Sequence, residues 1–358
     1  AMNGEVSALK AEFKNGTTYI EYTMDAHDSL LLKLMPGAAE KGCCCGCNKA
    51  EMQEVRAQRP VKITLSEDNC LLLDQAEYAL DDGEWQASDE LLRADNWARG
   101  ILGWPMREDQ FAQPWVTAGI DYGDGKHTFR IRFTIDSRVA VKGAKLALED
   151  AEYATIAFDG KPVDATITGW YVDKAIDTVN LPDFEAGLHT LEVDYDYKRQ
   201  VNIEWCYLLG DFGVVVTGDR AYITEPVREL YYGDWTRQGL PFYGGNVTYH
   251  IPVEAGENGL DVEAPQYRGA LIKAGLDGKP AGAIIYAPYR LHIEAAPGAH
   301  ELSLTVFGNR ANSFTALHNC DDKCSWFGPN AWRTTGKRWS YEYRLRPTGL
   351  LVAPRLFK

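Results

Sequence analysis

Phe158-Asp159-Gly160-Lys161-Pro162, followed by Gly169-Trp170-Tyr171-Val172-Asp173 and then Glu185-Ala186-Gly187-Leu188-His189-Thr190-Leu191, returns later in the chain in altered form. The second version reads Leu276-Asp277-Gly278-Lys279-Pro280, Ala287-Pro288-Tyr289-Arg290 and Ala296-Pro297-Gly298-Ala299-His300-Glu301-Leu302. Asp159 to Asp277 and Tyr171 to Tyr289 are both 118 residues apart, whereas Gly187 to Gly298 is 111, so a seven-residue indel separates the last landmark. The stretch Ala154 to Tyr197 is therefore one copy of a duplicated unit.

In each copy an apolar run ends on Asp-Gly, a pair suited to tight hairpin turns because both residues tolerate positive φ. An aromatic segment follows, then a Gly-containing turn and a second run. Leu191, Val193, Tyr195 and Tyr197 alternate with Thr190, Glu192, Asp194 and Asp196, the period of a half-buried strand. Leu302, Leu304 and Val306 alternate with Ser303 and Thr305 in the same way. The expected fold is all-β: two jelly-roll β-sandwich domains in tandem, a short N-terminal strand segment and one or two short helices.

Working outward, residues 1–36 hold strand-like runs at Ala8 to Lys14 and Thr18 to Met24, joined by Asn15-Gly16, with an apolar run from Leu30 to Leu34. Three strands are too few for a core of their own, so this piece is expected to pack on the rest or to end an upstream domain. Residues 37–60 read as a Cys/Gly-rich loop or linker. Residues 61–230 form the expected first sandwich, beginning with the alternation Val61, Ile63, Leu65. Within it Ser88 is placed to cap a helix with Leu91, Ala94, Ala98 and Ile101 on one face, ended by Gly103 and Pro105. The run His127 to Ile135 alternates cleanly. Residues 231–246 are an aromatic and glycine-rich joint. Residues 247–358 form the second sandwich, interrupted by an irregular stretch from Asn309 to Lys337 and closed by a strand in which Trp339, Tyr341, Tyr343 and Leu345 share a face.

The chain has 358 residues, 45% hydrophobic and 25% charged, enough for two or three globular domains. Its net charge of −14 disfavours nucleic acid and anionic membrane surfaces, so a neutral or cationic ligand is expected before a polyanion. No apolar run is long enough to cross a bilayer, and no signal peptide opens the chain. Ala1-Met2 reads as a cloning remnant, which leaves an upstream leader open. Four of eight cysteines crowd into residues 43–47, a spacing poorly suited to ordered disulfides, and this favours a reducing, cytoplasmic compartment.

No carboxylate pair among the 51 Asp and Glu is distinguished by spacing, and the seven histidines form no metal motif. No cofactor is expected. Asp81-Asp82-Gly83 with Asp321-Asp322 leaves a structural calcium open, although the spacing is not that of a helix-loop-helix calcium loop. Cys45, Cys47, Cys320 and Cys324 could supply four thiolates to zinc if their loops met, but paired Cys-x-x-Cys knuckles are absent and inert thiols are the default. The aromatic loops carry the stronger signal, because sugars are held by flat rings against their apolar faces and planar polar groups on their hydroxyls. The candidate carbohydrate-binding residues are Trp235, Arg237, Gln238, Tyr243 and Asn246 in the joint, and Asn309, Arg310, His318, Asn319, Trp326 and Trp332 in the long loop. The competing expectation is that these rings fill an interdomain seam. Trp170, Tyr171 and Tyr289, inside the repeat, are expected in the core.

The two Asp-Gly-Lys-Pro turns, Gly169 to Asp173, Tyr207-Leu208-Leu209-Gly210-Asp211-Phe212-Gly213-Val214, and Gly308-Asn309-Arg310 followed by Leu317-His318-Asn319 and Gly328-Pro329 together carry a resemblance. From Val61 onward the chain resembles the accessory, galactose-binding-like jelly-roll region of large bacterial glycoside hydrolases of the family-2 and α-L-rhamnosidase types. The resemblance implies a non-catalytic region that scaffolds a catalytic barrel lying outside this chain, with carbohydrate or that upstream domain as partner. This sequence has no barrel pattern, so the family's catalytic carboxylates are not carried over. Two other classes stay open: a stand-alone glycosidase or lyase with its site in the interdomain cleft, and a protein-interaction module using its acidic faces.

Overall fold

The computed structural model describes residues 9, 11–22, 30–35, 54–55, 59–106, 126–201, 203–321, 323, 331–332 and 335–358. Antiparallel sheets dominate, with a single parallel pairing between Arg220–Thr224 and His127–Ser137 among the described strands.

One core lies between an eight-stranded and a five-stranded sheet. The longer sheet runs Lys161–Pro162, Ala154–Phe158, Gly187–Tyr197, His127–Ser137, Arg220–Thr224, Gly213–Thr217, with Gln75–Leu80 and Gln86–Glu90 attached beside His127–Ser137. The expected alternation is realised: Phe129, Ile131, Phe133 and Ile135 are buried opposite Tyr195, Val193, Leu191 and His189 of the neighbouring strand. The facing sheet runs Ile167–Tyr171, Asp173–Asn180, Lys145–Glu149, Cys206–Gly210, Asn69–Leu73 and contributes Leu146, Leu148, Val179 and Leu208 to the same core. A second core lies between the sheet Glu229–Leu230, Val61–Leu65, Val247–Ala255, Gly298–Val306, Ile272–Leu276, Lys279–Ile284 and the sheet Arg290–Ile293, Leu260–Glu263, Arg355–Phe357, Glu54–Val55.

The duplication is visible in the ladders. Lys161–Pro162, Ala154–Phe158, Gly187–Tyr197 and His127–Ser137 stand in the same order as Lys279–Ile284, Ile272–Leu276, Gly298–Val306 and Val247–Ala255, all antiparallel. Asp159 and Asp277 occupy equivalent left-handed turns, with φ of 50° and 49°, followed by Gly160 and Gly278 at 71° and 75°. Each aspartate clamps the adjacent strand. Asp159 Oδ1 accepts from Thr190 N at 2.9 Å and Oδ2 lies 2.8 Å from His189 Nδ1, while His189 Nε2 faces the Glu185 carbonyl at 2.8 Å. Asp277 does the same with Glu301 N, His300 and the Ala296 carbonyl. Both ring nitrogens therefore face acceptors, which only the imidazolium form satisfies with two N–H donors. The hydrogen bond to Asp277, then that to the Ala296 carbonyl, raises the His300 pKa above the usual histidine value. A third turn follows the same design without a sequence repeat: Asp81, at φ 52°, accepts from Thr128 N and pairs with His127. Asp81, considered above as a calcium ligand, is engaged in this way.

Several expectations are corrected. Val61–Leu65 pairs with Val247–Ala255 and buries Val61 and Ile63 in the second core, so the strand expected to open the first sandwich belongs to the second in space. Alternation identifies a strand, but backbone ladders look alike and do not name the partner. The helix Leu91–Leu102 is capped by Glu90, whose carboxyl accepts from Leu92 N and Arg93 N, and not by Ser88; Gly103 ends it at φ 66°, as expected. Ile101, assigned to its buried face, is 64% exposed. Trp339 to Leu345 forms no sheet. Its backbone donors go to isolated carbonyls, Ser340 N to His318 and Arg344 N to Leu317, and the alternation arises because Tyr343 and Leu345 pack on the first core. At the N-terminus, Ala11–Lys14 and Thr17–Ile20 pair through Asn15-Gly16, both at positive φ.

If the two repeated turns are physically equivalent, Asp159→Ala and Asp277→Ala each lower the unfolding midpoint by a similar amount, through loss of a left-handed-tolerant residue and its capped donor. Urea titration checks this; a cost at one turn and none at the other contradicts the equivalence.

Candidate functional site

A cleft of about 600 Å³ opens on the outer face of the five-stranded sheet, where the two sandwiches meet. Its floor follows from register: Asn180 and Leu209 flank Lys145 across neighbouring strands, and Thr178 lies opposite Gly169. The edge strand Ile167–Tyr171 departs from regular pairing twice, between Ile167 and Gly169 and between Trp170 and Tyr171. Val172, next in the chain, has φ 63°, a conformation that a β-branched residue adopts only under constraint. On this irregular edge Trp170 is 56% exposed and lines the cleft, although its place in the repeat suggested core. Tyr171 is buried, as expected.

The opposite wall comes from two crossings between the sandwiches. Ser66, Glu67 and Asp68 lead from Val61–Leu65 to Asn69–Leu73, and Arg310 opens the four-residue helix Ala311–Phe314. Arg310 and Glu67 form a two-pronged ion pair, with Nη2 to Oε2 at 2.8 Å and Nη1 bonded to Oε1. Such paired contacts fix orientation as well as charge. The guanidinium also lies 5.5 Å from the centre of the Tyr171 ring. Lys145 Nζ stands 3.6 Å from Asp68. The glycines of the joint make room for this pair: a Cβ on Gly244 would lie 2.5 Å from Arg310 Cδ, and one on Gly245 would lie 2.7 Å from Glu67 Cγ. Beneath Tyr171, burial pushes the Cys70 thiol up to about 12, so it is not a nucleophile at neutral pH.

Of the candidate residues read from the sequence, Arg310 lines this cleft. Trp235 and Tyr243 are fully buried in the second core, and the Tyr243 hydroxyl ties Ser66 N to the Asn246 carbonyl, so neither ring offers a face to a ligand. Gln238 closes the joint on Tyr231 and the Asp234 carbonyl, and Arg237 is exposed beside Asp234. Asn246 binds Ser66 through its backbone. Asn309 Oδ1 accepts from Ala311 N, Asn319 bonds to Asp321 N and the Ala331 carbonyl, and Trp332 packs on the first core. Trp326, Cys45, Cys47 and Cys324 lie outside the described residues. Cys320 is free and accepts from Arg344 Nε. Among the described residues no group of three or more His, Cys, Asp or Glu could hold a metal ion. Trp170 was expected in the core, and Glu67, Asp68, Lys145, Thr168 and Asn180 carry no motif that marks them in the sequence; Gly169 inside a strand pattern was the one signal of an irregular edge.

His318 is nowhere near solvent. It belongs to a buried polar group that fastens the long loop to the first sandwich: Nε2 lies 2.7 Å from Asp74 Oδ2 and Nδ1 2.8 Å from the Ser340 carbonyl, while Tyr343 Oη donates to Asp74 Oδ1 at 2.7 Å. Burial lowers the His318 pKa, but the Asp74 hydrogen bond and charge outweigh it and the net shift is upward. Glu90, fully buried and bonded to Trp205 Nε1, is raised to about 8, chiefly by desolvation.

No family model matches the chain, and no curated protein matches it. Solved structures give partial likenesses. A rhamnosidase from Novosphingobium sp. PP1Y is 18% identical with a TM-score of 0.26, covering 67% of this chain and 24% of that one. A β-D-mannosidase from Dictyoglomus thermophilum is 14% identical with a TM-score of 0.25, covering 70% and 32%. An α-L-rhamnosidase from Streptomyces avermitilis, complexed with L-rhamnose, is 14% identical with a TM-score of 0.25, covering 86% and 26%. The match thus spans a quarter to a third of each of these longer chains, and a likeness this distant assigns no activity.

The buried polar group has a defined pH dependence. An unfolded glutamate releases its proton near 4.5, whereas folded Glu90 holds it to about 8. Its contribution is complete below pH 4.5 and declines as pH rises to about 8, amounting to a few kcal/mol by linkage. His318, also raised, adds loss in the same direction, present below its unfolded value of 6.5 and lost as pH rises through the folded one. Denaturant unfolding is expected to show stability falling between pH 5 and 8, with most of the slope removed in Glu90→Gln; an equally steep slope in that variant contradicts the assignment.

Proposed function

We propose that this chain is a non-catalytic two-sandwich region of a glycoside-processing protein, which binds carbohydrate in the cleft between Trp170 and Arg310 and scaffolds a catalytic domain. The observation that carries the reading is an exposed indole beside planar, ion-paired polar side chains at an interdomain seam. Sugar sites are built in this manner, with a flat apolar surface for the C–H face and a few fixed polar groups for the hydroxyls. The motif resemblance described above points to the same class.

Glycoside hydrolysis uses two carboxylates facing each other across the sugar. The cleft carboxylates, Glu67 and Asp68, are consecutive in the chain and each has a cation beside it. This arrangement supports binding over turnover.

Titration calorimetry against a panel of neutral glycosides is expected to detect binding that Trp170→Ala weakens at least tenfold, or about 1.4 kcal/mol. Because the ring is exposed, the variant is expected to keep the wild-type melting temperature. Binding unaffected by the substitution would place the sugar elsewhere, and release of product from chromogenic glycosides would overturn the non-catalytic reading.

A further inference from the structure

The cleft holds two carboxylates and two cations in two neighbouring pairs, Glu67 with Arg310 and Asp68 with Lys145. Its formal charge is zero, in a chain whose net charge is −14. Resting on the carbohydrate-binding reading above, we infer that the cleft is specific for neutral saccharides presenting vicinal hydroxyls, and that it rejects uronic acids.

A ligand carboxylate needs a cation that is not already engaged. Arg310 offers none in isolation: both Nη atoms are bonded to Glu67, and Nη1 also approaches the Tyr171 hydroxyl at 3.4 Å. Lys145 faces Asp68, and a ligand anion approaching it meets the Asp68 and Glu67 charges at short range in a half-screened site. Displacing Glu67 from Arg310 would strand a partly buried carboxylate, a cost that a ligand must repay in full. Neutral hydroxyls face no such obstacle. A vicinal diol donates to the unused lone pairs of a paired carboxylate and accepts from the neighbouring cation without breaking the pair, because each carboxylate oxygen has more than one acceptor site. Thr168 and Asn180 extend this surface, with Thr168 Oγ1 donating to the Thr178 carbonyl at 3.0 Å and Asn180 exposed on the same floor. Trp170 then covers the apolar face of the ring. Selectivity follows from charge already compensated inside the protein, a form of exclusion by unfavourable alternatives.

The test compares methyl hexosides and 6-deoxyhexosides with the matching methyl uronides by titration calorimetry, at low and high sodium chloride, in the wild type and in Asp68→Asn. The expected result is binding of at least one neutral glycoside, insensitive to salt, with its uronide at least tenfold weaker. Asp68→Asn uncovers Lys145, whose surroundings are solvent-accessible enough to leave the fold intact, and is expected to narrow the neutral-over-uronide ratio about tenfold. Uronides binding as tightly as the neutral sugars, or an unchanged ratio in the variant, overturns this specificity while leaving carbohydrate binding in place. Failure of every glycoside to bind removes the carbohydrate reading itself.

Discussion

The crossing at Ser66 to Asp68 is the constraint on which the rest of the molecule depends. Three residues separate a strand buried in the second core from a strand buried in the first, so the two cores are joined here with little slack. That short link delivers Glu67 to Arg310, and the pair is seated by glycines of the joint whose missing side chains let backbone and guanidinium approach. Here the polar contact and the chain geometry reinforce each other. An ion pair of this exposure contributes little by itself; the short covalent crossing is what keeps the two cores close.

A second fastening works from the other side. The long loop after Val306 returns to the first sandwich, where Phe314 stacks on Tyr207 at 5.1 Å, and His318, Asp74 and Tyr343 close a buried hydrogen-bonded group. Arg310 and His318 lie on the same short segment, so the buried group also supports one wall of the cleft. The cleft is thus a consequence of how two sandwiches are stitched together rather than an addition to either of them. Binding sites at domain seams commonly arise in this way, because the seam is concave and both sides can supply polar groups.

The repeat was legible because Asp-Gly turns and period-2 runs are local signals. Left-handed turns restrict residue choice, and half-buried strands must alternate. The third Asp-His clamp, at Asp81 and His127, was not legible, since its two halves are 46 residues apart and share no motif with the others. Trp339 to Leu345 shows the reverse error: an extended segment lying on a core alternates as a strand does, yet its donors find scattered carbonyls instead of a ladder. Among the site residues, Arg310 stood out in an irregular loop. Trp170 was masked by its strand, which proves to be an edge strand of irregular register with this residue exposed.

By itself the sequence determined the all-β class, the duplicated unit and the hairpin turns. Each of these follows from properties of neighbouring residues. Tertiary structure alone decided which sheet receives Val61–Leu65, which aromatics are sealed in a core and which meet solvent, and that Glu67, Asp68, Lys145 and Trp170 converge. Those outcomes depend on backbone pairing between segments far apart in the chain, and every strand offers a partner the same row of donors and acceptors.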